Sequence, residues 1–491
     1  MLNTEYKQLT FSMYSELYDI VVSKNHILRK IKAAIDFSFV NRILKDSYCE
    51  NLGRPAKEPE LMFKLMFLKA YYDLSDRQVV EESNVNMAFK YFLDLNPEDE
   101  LISPSLLTIF RKIRIKNENV LQEMLTEMLT QAVGKGILTS TSILIDATHT
   151  TAQGESRSPS QTLRHLTRRL RRSIYIHAPE LAEHFPEKPE KTSSAEVEEK
   201  YTRKLVRILK QKLAANAAAK IHKQLAYIEE LLTDNKYEEI VNLTDPEAKR
   251  GYKAKNKLFV GYKSHVAMTQ ERVITALQVT SGEKSDGKYM EPLLLNTEKN
   301  GIFATEMIAD KAYSSRENLT YLERKKIDAI TQLNDVISNG NRLIEGFTYN
   351  KDADSVVCPG GQISKKKYFN SRANENGKGK GKKNNRMQYH FDVKKCQKCS
   401  KRDGCYKEGA KSKTYSITIL SGEHEKQKEY QETAYFKERM KSRYKIEAKN
   451  GELKQFHGLR TCRYRGLFGM QIQTYFTVFA VNSKRIAGMC Q

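Results

Sequence analysis

Two periods alternate along this chain, one helical and one extended. Residues 60–72 (Glu-Leu-Met-Phe-Lys-Leu-Met-Phe-Leu-Lys-Ala-Tyr-Tyr) carry apolar side chains on nearly every face, which predicts a buried helix. Ser75-Asp-Arg-Gln78 has the shape of a capping box and opens a second helix through Val79 and Val80 towards Met87. Ser103-Pro104 starts a third, along which lie Phe110, Arg111, Lys112, Arg114 and Lys116. Three short helices ending in a basic one suit a helix-turn-helix-like DNA-binding unit, and they also suit a helical bundle with a solvated face.

From residue 142 the period shortens. Ser142-Ile-Leu-Ile-Asp146-Ala-Thr148 predicts a buried strand with a carboxylate projecting from the sheet edge. Leu258–Met268 and Val273–Val279, joined by Thr269-Gln-Glu-Arg272, predict a hairpin. Asp286 and Gly287 open a helix containing Leu293, Leu294 and Leu295. Met307-Ile-Ala-Asp310 is a second strand that ends in a carboxylate. A helix from Ser314 to about Lys325 and a strand at Ala329-Ile-Thr-Gln-Leu333 follow. Strand, hairpin, helix, strand, helix, strand is the order of a mixed α/β sheet. A last apolar helix spans about 467–487.

Two stretches break this pattern. In 155–245 a basic helix (Arg164, Arg168, Arg169, Arg171, Arg172) is followed by Pro179, Pro186 and Pro189, and 194–232 reads as one long Ala/Lys/Glu/Leu helix. In 339–424 there are Cys358-Pro-Gly-Gly, a Lys/Gly/Asn-rich tract from Asn376 to Arg386 that reads as a mobile loop, and Cys396-x-x-Cys399-x5-Cys405. The expected organisation is a helical N-terminal DNA-binding domain (1–135) and an α/β domain assembled from 136–154, 246–338 and 425–491. A helical insertion (155–245) and a Cys-containing insertion (339–424) interrupt it.

Charge narrows the partner. The 491 residues include 83 Lys and Arg against 60 Asp and Glu, a net +23, spread along much of the chain. A polyanion, most simply nucleic acid, is the implied partner, because each phosphate contact releases counterions. A merely basic soluble protein is the plain alternative. No run of 18 apolar residues appears, and the first ten residues lack the pattern of a secretory signal. Seven Cys, four of them clustered, fit a reducing compartment. The expected location is cytoplasmic and nucleoid-associated, with no membrane partner.

The chemistry converges on carboxylates. Asp146 and Asp310 each end a predicted strand. Glu447 lies on a predicted helix whose i, i+4 and i+7 positions bring Arg443, Glu447 and Lys454 onto one face. Three acids without neutralising partners are costly to gather unless they hold cations. Mg²⁺ binds through few carboxylates, waters and substrate phosphates. A pair of such ions activates a water or a 3′-hydroxyl for in-line attack on a phosphodiester. The basic run Arg460, Arg463 and Arg465 follows at once. Taken alone, the Glu447 segment reads more readily as a solvated helix laced with surface ion pairs.

These motifs together resemble the DDE transposases of bacterial insertion sequences. Ile143-Leu-Ile-Asp146-Ala-Thr148 resembles the family's first-Asp strand. Met307-Ile-Ala-Asp310-Lys-Ala-Tyr313 resembles its second, commonly Asp-x-x-Tyr. A large branch carries Tyr-x2-Arg-x3-Glu-x6-Lys around the third acid, and Arg443, Glu447 and Lys454 fall at those offsets, with Met440 in place of the Tyr. Tyr262-Lys-Ser-His265, the Asp286 segment, Gly458-Leu-Arg460, Tyr464-Arg465-Gly466 and Asn482 also resemble the group.

The resemblance implies a ribonuclease-H-like catalytic fold in which Asp146, Asp310 and Glu447 ligate two Mg²⁺ (or Mn²⁺) ions. It implies that Arg443 and Lys454 contact DNA phosphates near an element end. Arg460, Arg463, Arg465, Arg111, Lys112 and Arg114 are the other candidate DNA contacts. Glu452 is a fallback third acid, off the Arg443 face. Asp286 reads as a turn residue and His265 as a sheet residue. The implied activity is metal-dependent hydrolysis and strand transfer of double-stranded DNA at terminal inverted repeats, joining them to target DNA, by at least a homodimer on DNA. The rivals are a nuclease of the same fold without strand transfer and a non-catalytic DNA-binding relative. Separately, Cys358, Cys396, Cys399 and Cys405 have the composition of a structural Cys₄ Zn²⁺ site, or else are free thiols in a loosely packed insert.

Overall fold

The computed structural model describes residues 12–49, 55–214, 217–238, 240–254, 257–334, 346–350, 355–370, 386–418 and 421–490. At its centre is a six-stranded mixed sheet: β1 (Ser142–Thr151), β2 (Lys249–Ala254), β3 (Lys257–Thr269), β4 (Ile274–Ser281), β5 (Glu306–Ala309) and β6 (Asp328–Ile330). β1 runs antiparallel to β3 and parallel to β5, β5 runs parallel to β6, and β3 also pairs with β4 and β2. The predicted hairpin is present, and its turn places Arg272 at φ +66°. β2 escapes a reading of apolar periodicity because Lys249, Arg250 and Lys253 give it the texture of a loop. Pairing with β3 alone makes it a strand.

The final helix, Leu467–Met489, buries residues all round, from Met470 to Ala487. That follows from its position between the sheet and the N-terminal helices. Asn482 stitches it to β4, donating to the Ile274 carbonyl (2.8 Å) and accepting from the Ile274 amide (2.9 Å). On its other side Phe63 of the helix Pro59–Tyr71 meets Phe476 and Phe479 with ring centroids 5.1 and 5.2 Å apart. One continuous core therefore runs from Leu28 through the helices Pro59–Tyr71 and Glu118–Gly134 to the sheet. The change of texture at residue 135 is not a gap in packing.

The predicted capping box at Ser75 and Gln78 is formed. The basic third helix is shorter than its pattern suggests: Ser105–Ile109 is α-helical, and Phe110–Arg114 form a wider π turn. The insertion 155–245 has its own hydrophobic core and three helices, Pro159–His177, Ala195–Lys212 and Ala219–Leu232. The single long helix expected over 194–232 is thus two. Ala-rich sequence favours continuity, but burying Leu205, Leu209, Leu225 and Ile228 in one core requires the chain to turn back.

The second insertion forms a hairpin, β7 (Thr348–Asn350) with β8 (Ser355–Val357), and a three-stranded antiparallel sheet of β9 (Lys366–Asn370), β10 (Arg386–Phe391) and β11 (Lys413–Thr418). The Lys/Gly/Asn-rich tract, Arg386 apart, lies outside the described residues. Among the described residues no helix is long and apolar enough to cross a membrane.

Candidate active site

β1 and β5 carry the first two acids. Their parallel register ends on Ile145 opposite Ala309, so Asp146 and Asp310 come next on neighbouring strands. Ile143, Leu144, Ile145, Met307, Ile308 and Ala309 are fully buried, which anchors both acids. Asp310 follows the end of β5 as expected, but β1 does not end at Asp146 and runs on to Thr151 because β3 continues to pair with it. Asp310 then caps a short turn, accepting from the Ala312 amide at 2.9 Å, while Thr331 donates to its backbone carbonyl at 2.6 Å. Burial, followed by the neighbouring Asp310, pushes the Asp146 carboxyl up to about 6, although the Ala147 amide and Arg443 oppose the rise. Asp310 is also pushed up, chiefly by burial. Two carboxylates are thus held together, without full neutralisation, at one edge of the sheet.

The helix Tyr444–Gln455 lies over this edge. Asn450 donates to Asp146 Oδ2 at 2.9 Å, and Lys454 lies 3.3 Å from His149 Nδ1. Burial and Lys253 push Lys454 down to about 8, and burial with Lys454 pushes His149 down to about 4, so the imidazole is neutral. Glu447, one turn before Asn450, is 54 % exposed and forms an ion pair with Arg443 at 2.9 Å. Arg443 is the cation that both aspartates feel. Among the described residues no three His, Cys, Asp or Glu side chains stand close enough together to hold a metal ion. Asp146 and Asp310 are near enough to interact, whereas Glu447 is linked to them only through Arg443, which pairs with it, so the expected three-acid cluster is not assembled among the described residues. Glu452 is engaged elsewhere, with Lys449 at 2.7 Å and Lys484 at 3.3 Å.

One neighbour lies outside the set chosen from the sequence. Asp286 raises the pKa of both aspartates, is paired with Lys263 at 2.8 Å and lies 3.8 Å from His265 Nδ1. Its turn is fastened to that of Asp310, because Asn318 donates to the carbonyls of Gly287 (2.8 Å) and Tyr313 (3.0 Å). The signal was available: Lys263 and His265, two apart on one strand, share a face and call for a carboxylate. Around the acids, Tyr313 Oη, Arg443 Nε, Asn450 Oδ1 and His265 Nδ1 are buried without a hydrogen-bond partner. Orphaned polar atoms beside un-neutralised carboxylates are a donor set that fits divalent ions and phosphate oxygens.

The candidate DNA contacts divide. Arg460 and Arg465 are exposed, and Arg460 rides on a segment that pairs with the end of β1 through Thr151 N to Arg460 O at 3.1 Å. Arg460, Lys454, Arg463, Asp73, Gln153 and Thr461 line an open cleft of about 450 Å³. Arg463 within it is tied to the Asp73 carboxylate and the Leu74 carbonyl. Lys112 is exposed. Arg114 is half-buried, its guanidinium 3.9 Å above the Tyr48 ring.

Arg111, expected on the DNA-facing helix, is buried instead. It pairs in bidentate fashion with Asp76 and lies 4.5 Å over the Tyr464 ring, beside Lys69. Half-buried between Arg111 and Lys69, Asp76 is neutralised by both, and the π turn turns Arg111 inward to this pair.

Residues 220–483, more than half of the chain, match the family described as "Transposase DDE domain". The chain belongs to that family. This transposase also matches "Transposase domain (DUF772)" over residues 15–113, the N-terminal helices up to the π turn. Asp310, Glu447 and Lys454 fall inside the DDE match, and Asp146 precedes it. No curated protein and no solved structure matches the transposase. It is a DDE-type DNA transposase, of a family that works on DNA with divalent metal ions.

Proposed function

We propose that this transposase hydrolyses phosphodiesters at the terminal inverted repeats of an insertion sequence and joins the freed 3′ ends to target DNA, with Asp146, Asp310 and Glu447 as its acid triad. The observation that carries this reading is the pair Asp146, midway along β1 where its pairing with β5 stops, and Asp310, just past the end of β5, both raised in pKa by burial. The strand order, with the first-Asp strand antiparallel to the hairpin and parallel to the second-Asp strand, supports a ribonuclease-H-like sheet.

Mg²⁺ or Mn²⁺, when bound, supplies activation of the attacking water or 3′-hydroxyl and charge stabilisation of the leaving oxygen. Asp146 and Asp310 are the residues that would hold it, with Glu447 completing the set. Arg443 connects the two halves of the site. Its ion pair with Glu447 keeps that carboxylate off the aspartates, and an arriving DNA phosphate competes for the guanidinium and frees Glu447. Lys454, beside the acids and lining the cleft with Arg460, fixes the backbone next to the scissile phosphate. A homodimer on DNA supplies one such site per element end. The expected setting is the bacterial cytoplasm, on the nucleoid.

The test is a reaction of purified protein with duplexes carrying the element ends, Mg²⁺ and a supercoiled plasmid. Wild type gives both cleaved ends and joined products. Asp146→Asn, Asp310→Asn and Glu447→Gln each reduce both to background while retaining DNA binding in a mobility-shift assay. Cleaved ends without joined products would establish the nuclease reading. No cleavage by wild type would establish the DNA-binding reading. Activity kept by Glu447→Gln alone would remove Glu447 from the triad.

A further inference from the structure

The insertion after β6 contains a second cluster of chemistry, which transposition leaves unused. Among its described residues the apolar core contains four buried side chains, Val356, Tyr389, Phe391 and Tyr415, with Cys358 and Cys396 packed against them. A five-stranded unit with so small a core is one that folds reliably when something staples it. Cys358, Cys396, Cys399 and Cys405 are all unbonded thiols, and all four line one small cavity of about 50 Å³.

The backbone around the thiols is arranged for thiolates. Cys358 follows β8 and opens a tight turn in which the Gln362 amide points at its sulfur (3.4 Å) and Gly361 takes φ +74°. Cys399 follows the short helix Val393–Gln397, and there the Lys401 amide points at the Cys399 sulfur, again at 3.4 Å. Two turns, each aiming an N–H at a sulfur, face each other across Gly360. A Cβ on Gly360 would lie 2.8 Å from the Cys399 sulfur and 3.8 Å from that of Cys358. Cys396 lies one turn before Cys399, and Cys405 is brought back by its amide bond to the Arg402 carbonyl at 3.0 Å. Lys401, Arg402 and Lys413 also line the cavity. Their charge complements the two net negative charges of a divalent ion held by four thiolates.

We propose that Cys358, Cys396, Cys399 and Cys405 form a structural zinc site that staples β7–β11 into one unit. Among the described residues no three of these sulfurs stand close enough together to hold an ion, so a bound zinc would have to draw the two turns together around the cavity they share. Four protein ligands leave no open position, so this ion has no part in catalysis.

The full-length chain, expressed with zinc and dialysed against metal-free buffer, should carry about one equivalent of zinc by atomic emission. Cys396→Ser with Cys399→Ser should lose it, and limited proteolysis should then cut within 346–418 first. Asp146→Asn with Asp310→Asn should keep the zinc, which separates this site from the acid pair. Cobalt substitution of the unaltered chain should give thiolate-to-metal charge-transfer bands and tetrahedral ligand-field bands. That spectrum decides the matter on its own if the Cys variant does not fold. A wild-type chain free of stoichiometric zinc, or a cobalt spectrum without thiolate bands, overturns the site.

Discussion

Asp146 accounts for more of the metal-free chain's behaviour than any other single residue. Its carboxyl goes from an ordinary 3.8 to about 6 in the fold, mainly through burial. A carboxylate raised in this way contributes stability below pH 4, and that contribution is lost as the pH climbs through 6. In EDTA, Asp146→Asn should therefore be more stable than wild type at pH 7.5, by about 2–3 kcal/mol, and the two should converge below pH 4. Thermal or denaturant unfolding at both pH values checks this. A variant no more stable than wild type at pH 7.5 would mean that the acid pair is already neutralised. At this scale the sequence was informative where an acid follows an apolar run, as Asp146 and Asp310 do, although only Asp310 ends its strand and β1 continues to Thr151. It was silent where a partner lies far along the chain. Arg111 looked like a DNA contact because nothing local shows that it meets Asp76 and Tyr464. Asp286 is the turn residue its sequence suggested, but its nearness to the acids was hidden because its relation to Asp310 runs through Asn318.

Between elements, the site depends on how closely two short turns approach. Gly287 and the Ala312 carbonyl are so near that a Cβ on Gly287 would lie 2.4 Å from the oxygen. Gly287→Ala must push the Asp286 turn away from the Asp310 turn and displace a carboxylate whose position sets the chemistry. Cleavage should fall by roughly 100-fold, the cost of a misplacement of about 1 Å. DNA affinity, which the proposed function assigns to Arg460 and Lys454 and not to this turn, should stay within error in a mobility-shift assay. Unchanged cleavage would show that the two turns tolerate separation. The helices and strands of this scale were largely legible, because the sheet strands are apolar runs and the last helix is apolar throughout. The breaks were harder to see. A tertiary core turned one predicted helix at 194–232 into two, and pairing alone made β2 a strand.

For the whole molecule, the two larger of the three hydrophobic clusters among the described residues predict which parts can be removed. The N-terminal helices share the core of the catalytic sheet and are tied to its far end by Arg463 with Asp73 and by Lys69 with Tyr464. The helical insertion has a separate core, from Leu163 to Ile240. Its two ends meet: the Arg157 amide donates to the Val241 carbonyl at 2.8 Å, and Asn242 donates to the Gln153 carbonyl at 2.7 Å. Beyond them Asp245 belongs to the catalytic sheet, where it accepts from the Tyr262 hydroxyl at 2.7 Å. Replacing 158–240 by a short Gly-Ser linker should therefore leave a chain that unfolds in one cooperative transition near the wild-type temperature. A chain beginning at residue 136 should not fold, since it would expose the apolar flank of Leu467–Met489. The excised chain should also bind DNA with a shallower salt dependence, because the helix with Arg168, Arg169 and Arg172 is gone. Calorimetry and a salt titration of duplex binding read both effects. A single transition with an unchanged salt slope would assign the insertion a role other than holding DNA, and a collapsed fold would mean that the two cores stabilise each other.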